Sequence, residues 1–190
     1  MPLSRISNNV ISDNTITNAK INSSAAIAQS KLGSLNVNVT TSNLPNGSVL
    51  QFVSTQSVAN ISTASTSAVA VSGLTVSITP TEAGNKIVYN LHGGHISYLT
   101  GAVRLFMWVY LKVGSGSASN AHPSGGTNKF LECEVSSTFG VPNSLQFVHT
   151  ATGTDALEFT PYIASSNGSL TVFFNAAPGV MTASCTEIKA

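Results

Sequence analysis

A chain of 190 residues has room for one domain and an appendage, or for two small domains. Charged residues make up only 8% of it and the net charge is +1, a balance that argues against an electrostatic nucleic-acid binder, which needs clustered Lys and Arg. Ser, Thr and Asn carry the polarity instead, giving a surface suited to lie against other protein and weakly protected against association.

The opening residues, MPLSRISNNV, hold no apolar stretch of the kind a signal peptide uses. No run approaches the roughly 18 apolar residues of a membrane-spanning helix, so no membrane partner is expected. Residues 6–24 carry a repeat in which Ile6, Ile11, Ile16 and Ile21 recur at a spacing of five. That period rotates around a helix and alternates across a strand, so a lone chain has no single face on which to bury them. They need pockets on a partner or on neighbouring copies; the alternative is a disordered polar tail. Residues 23–32 read as a short helix, with Ser23 or Ser24 as N-cap and Gly33 at its end. Ten residues are marginal alone in water, so Ile27 and Leu32 join the four isoleucines as expected partner contacts. An Asn/Thr/Ser linker follows, closed by the turn pair Asn46-Gly47. The expected layout is an arm over 1–33, a linker over 34–46 and a body over 47–190.

The body reads as strands throughout. Residues 48–54, 69–78 and 86–91 alternate β-branched or aromatic residues with polar ones, the mark of a half-buried strand. In His92-Gly93-Gly94-His95 the double glycine suggests a bulge or turn, and no third ligand with metal spacing follows. Residues 104–112, RLFMWVYLK, are apolar on both faces. Leu105, Met107, Val109 and Leu111 line one face and fit a core. Phe106, Trp108 and Tyr110 line the other, which needs a second layer of the same monomer, a subunit interface or a ligand. Residues 113–127 form a long Gly/Ser loop. Further strands are expected at 129–136, 144–150, 157–163, 169–175 and 181–188. About nine strands with a turn signal every 8–12 residues indicate an all-β fold, an antiparallel β-sandwich.

A family resemblance rests on the arm and on the start of the body. Ile16-Thr17-Asn18-Ala19-Lys20-Ile21, followed by Ala25-Ala26-Ile27-Ala28-Gln29-Ser30-Lys31-Leu32, resembles the I-T-x-A-K-I … A-I-A-x-S-K-L arms of many tailed-phage virion proteins. Gly47-Ser48-Val49-Leu50-Gln51 and Ser72-Gly73-Leu74-Thr75-Val76-Ser77-Ile78-Thr79-Pro80 resemble the start of the β-sandwich that follows such arms, notably in phages of cyanobacteria and marine bacteria. The match covers residues 16–90, and the rest only by strand pattern. The resemblance implies a jelly-roll-like sandwich, a homotrimer and a place in the virion. It leaves open a capsid decoration (cement) protein, clamping the major capsid protein from the capsid exterior after assembly in the host cytoplasm. It equally leaves open a tail-fibre tip attached to a tail or baseplate protein.

No cofactor is expected. No G-x-S-x-G elbow, Walker loop, H-E-x-x-H or C-x-x-C occurs. Glu132 and Glu134 share one strand face and form a carboxylate pair on paper, as Asp155, Glu158 and His149 form a set across a turn, but no cleft accompanies them. An enzyme is not expected. Cys133 and Cys185 read as free thiols.

Overall fold

Apolar residues at every second position become strands because each such strand can turn one face inward. The computed structural model describes residues 40–98, 103–135, 141–175 and 179–190. The arm, with Ile6, Ile11, Ile16, Ile21, Ile27 and Leu32, lies outside them. Twelve strands are described: β1 (Val49–Ser57), β2 (Ile61–Thr63), β3 (Val69–Ala70), β4 (Val76–Ile78), β5 (Lys86–Tyr98), β6 (Val103–Val113), β7 (Ser119–Asn120), β8 (Leu131–Val135), β9 (Val141–Thr150), β10 (Leu157–Ser165), β11 (Val172–Phe174) and β12 (Met181–Ile188). Every pairing between them is antiparallel.

The strands form two sheets of four rows each. In the first sheet β9 pairs with both halves of β5, so β12 and β11 share the opposite edge of β5, and β1 and β2 lie beyond them. In the second sheet β10 pairs with β6 on one edge and with β4 and β3 on the other, and β7 and β8 cover the far edge of β6. Along the chain the rows fall in the first, second, first, second, second, first, second and first sheets. This is the order of a jelly roll, the two-sheet Greek-key form of the antiparallel sandwich. The expected fold class is therefore the observed one.

The core lies between the sheets. Tyr89, Phe159, Phe174, Ile87, Leu105 and Met107 are fully buried there. Tyr89 packs against Phe147 and Phe159, with ring centroids 5.2 and 5.4 Å away. Each such side chain contributes about 1.5–3 kcal/mol on burial.

Three details differ from the strand pattern in the sequence. Residues 69–78 are two strands, because Gly73 (φ +79°) turns the chain between β3 and β4. The His92–His95 stretch keeps β5 running as a bulge, with a register shift against β9 and positive φ at Gly93 and Gly94. The short strands β2 and β7 lie where the sequence reads as connection or loop.

Candidate functional site

Strand β6 carries its apolar face inward, with Leu105, Met107 and Val109 fully buried. Phe106, Trp108 and Tyr110 consequently point out of the sandwich, where they are half-buried. Tyr162 of β10 joins them, since Trp108 stands opposite Tyr162 in the register. Tyr110 and Tyr162 stack at 4.4 Å between centroids and 23° between planes. Phe106 meets Trp108 edge-on at 6.1 Å. The loop between β7 and β8 supplies the cover seen over the strip: Lys129 Nζ sits 3.8 Å from the Phe106 ring centre, and Trp108 Nε1 donates to Thr127 O at 3.4 Å. Asn120 holds that loop in place, donating from Nδ2 to the carbonyls of Gly126 (3.0 Å) and Asn128 (2.6 Å).

The charges around the strip are paired. Arg104 reaches Glu132 at 2.9 Å and Glu134 at 3.1 Å, Lys129 reaches Glu132 at 3.2 Å, and Lys112 reaches Glu158 at 3.2 Å. Lys129 first, and Arg104 with it, hold the Glu132 carboxyl below the usual carboxylate range. The Glu132–Glu134 pair suggested by the sequence shares one arginine, and Glu132 is held on the side opposite to the raised pKa that a general acid needs. Nor do His149, Asp155 and Glu158 meet as a set. His149 lies on the inner side of β9 against Phe159, with burial lowering its pKa, while Glu158 is on the outside with Lys112. Among the described residues no three His, Cys, Asp or Glu side chains gather as a metal site. Cys133 and Cys185 are free thiols, and burial pushes Cys185 up to about 12.

The outer face of the first sheet has a different character. Reading across its rows, Phe52 stands opposite Thr186, Thr186 opposite Val88, and Val88 opposite Val148. The next row is Ser54, Ser184, Asn90 and Gln146, and the next Gln56, Thr182, His92 and Ser144. Phe52 is 62% exposed and Val148 55%. The neighbouring row at the end of the sheet carries Lys86, which donates to Thr150 Oγ1 at 2.8 Å. A neutral face with an apolar stripe can be covered while dehydrating little charge.

The root of the arm is the third feature. A 3-10 turn at Thr41–Asn43 sits against the end of β12. Lys189 Nζ donates to three carbonyls there, Thr41 O at 2.9 Å, Ser42 O at 3.2 Å and Leu44 O at 2.5 Å. Two residues earlier Glu187 is fully buried. It accepts from Thr81 N (2.8 Å), Thr81 Oγ1 (2.8 Å), Asn85 Nδ2 (2.7 Å) and Gln51 Nε2 (2.6 Å). Burial alone would raise its pKa, but the donors Asn85, Gln51 and Thr81 outweigh burial and hold it below the usual range. Neither residue stands out in the sequence, because their partners are scattered along the chain.

No family model matches the chain, and no curated protein matches it. Among solved structures, the virus particle of infectious bursal disease virus strain Gx is similar at 11% identity and a TM-score of 0.33, over 74% of this chain and 41% of that one. The VP2 subviral particle of infectious bursal disease virus is similar at 12% and 0.28, over 75% and 42%. The CBM22-1–GH10 modules of Clostridium thermocellum endo-1,4-β-D-xylanase 10B, complexed with xylohexaose, are similar at 13% and 0.31, over 72% and 26%. The chain spans less than half the length of each. Likeness at TM-scores near 0.3 carries no functional argument.

Proposed function

We propose that the chain is a virion structural protein, a homotrimeric capsid decoration protein of a tailed phage that clamps the major capsid protein through its arm. The observation that carries this is the neutral outer face of the first sheet, where Phe52, Thr186, Val88 and Val148 run as one stripe. Such a face fits a lasting contact with protein, because covering it dehydrates almost no charge. The arm motifs at residues 16–32 point to the particle. The lysine clamp at residues 41–44 supports a pulling role, since force on the arm would be delivered to the end of β12 rather than to a loop. Three arms held by one trimer raise each other's effective concentration, so modest contacts suffice. No enzymatic activity and no cofactor belong to this reading.

Removal of residues 1–33 is expected to leave a folded oligomer that no longer sediments with capsids. Retained capsid binding would overturn the clamp. The second reading, a tail-fibre tip that adsorbs to the host surface, is favoured by the outward aromatic strip on β6 and β10. Counting copies per virion by quantitative mass spectrometry separates the two, with several hundred expected for decoration and a few dozen or fewer for a fibre.

A further inference from the structure

The two outer faces differ in a way that assigns them different partners. Around the aromatic strip of the second sheet stand three cations, Arg104, Lys112 and Lys129, and three carboxylates, Glu132, Glu134 and Glu158, all engaged with one another. A protein laid over this face would cover about 800 Å² per partner and would dehydrate those ion pairs at its rim. Lys and Glu are depleted from protein interfaces for this reason. An ionic ligand meets charges that are already satisfied. What the face offers is a line of partly exposed rings, Trp108, Tyr110 and Tyr162, inside a margin of polar groups and mutually paired charges. Among the described residues no hydrogen bond engages the hydroxyls of Tyr110 and Tyr162. The margin is preorganised, because Asn120 pins the loop that carries Thr127 and Lys129. The strip ends near a shallow cavity of about 160 Å³ lined by Val103, Arg104, Glu134 and Ser166.

We infer that this face binds a neutral saccharide, with Trp108, Tyr110 and Tyr162 as its platform. A sugar ring has an apolar C–H face that can rest on the negatively polarised face of an aromatic ring. Its hydroxyls both donate and accept, which suits phenols at the centre and mixed donors and acceptors at the margin. A narrow saccharide chain covers the rings and leaves the ion pairs in water. The inference deepens the second reading above without requiring it, since a decoration protein can carry the same platform.

The test uses the full chain on an array of neutral oligosaccharides built from glucose, xylose, mannose or galactose, with acidic glycans beside them, in 0.15 and 0.5 M salt. Retention on at least one neutral glycan is expected, little changed by salt. Affinity should fall about tenfold or more in Trp108→Ala and in Tyr162→Ala, which corresponds to losing about 1.4 kcal/mol or more. Glu82→Gln, in the exposed turn before β5, should bind as the parent does. If the alanine variants lose their circular dichroism signature, the paired variants Tyr110→Phe and Tyr162→Phe carry the test, with a several-fold loss expected from the hydroxyls alone. Three results would overturn the inference: no neutral glycan retained, retention of acidic glycans alone that salt abolishes, or a change of oligomeric state in Trp108→Ala. The copy-number count is untouched by any of them, so the location of the protein and the role of this face fail separately.

Discussion

Gly93 and Gly47 have nearly the same backbone, φ +86° and +87°, but different surroundings. A Cβ on Gly47 would meet nothing within 4 Å, whereas on Gly93 it would lie 2.2 Å from Val180 O. The bulge in β5 therefore requires glycine for space as well as for conformation. Gly47→Ala should cost about 1–2 kcal/mol, the penalty of a left-handed residue. Gly93→Ala should cost about 2 kcal/mol more, because the start of β12 must move; chemical denaturation of the two variants would show the difference. Asn175 nearby also has positive φ (65°) and is fully buried, its side chain bonded to Gly179 N at 3.1 Å and Gly179 O at 2.9 Å. Glu187 makes a pH prediction. Its folded pKa is depressed, so its stabilisation is complete above the unfolded value of about 4.3 and is lost as pH falls through the lower folded value. Melting followed from pH 6 downward should show this loss in the parent and less of it in Glu187→Gln. At pH 7 the variant should start about 2–3 kcal/mol less stable, having lost a charged acceptor for Asn85, Gln51 and Thr81.

The elements differ in how openly they stand in the sequence. Strand β6 was legible because Leu105, Met107, Val109 and Leu111 alternate with aromatics over its whole length. Strands β2 and β7 were not, because Ile-Ser-Thr and Ser-Asn have no pattern of their own and become strands only by pairing with β11 and β6. The same holds for the sites. That Phe106, Trp108 and Tyr110 share a face follows from period two, but that this face turns outward depends on the order of the rows. The stripe on the first sheet takes Phe52, Val88, Val148 and Thr186 from four strands, so no local window contains it. The turn at Thr41–Asn43 has no buried residue and no side-chain cap. Lys189 bonds three carbonyls of this stretch, and Lys189→Met should loosen it while sparing the sandwich. Hydrogen exchange at the amides of Asn43 and Leu44, which close the turn onto Thr40 O and Thr41 O, should speed up by about tenfold or more. The melting temperature should hardly move, since the bonds lost hold only the arm's root.

At the scale of the whole molecule the two faces differ in charge. The second sheet keeps six charges outside, three of each sign, and the ion pairs they form stay in contact with water. Among the described residues the outer face of the first sheet carries Lys86 near its end and exposes Phe52 and Val148 instead. The proposed trimer thus has one face that can be covered at small electrostatic cost. A charge placed on that face reverses the balance, because an unpaired carboxylate enclosed in a contact costs several kcal/mol, while the same carboxylate on a monomer stays hydrated. Phe52→Asp combined with Val148→Asp should leave the fold intact, since both side chains already point into solvent. It should convert the trimer to monomer in light scattering coupled to size exclusion, and it should weaken capsid binding by removing the gain from three joined arms. A trimer that survives both substitutions would mean that the contact lies elsewhere. The aromatic strip would then be the remaining large outward apolar surface among the described residues, and Trp108→Ala would be the variant that dissociates it.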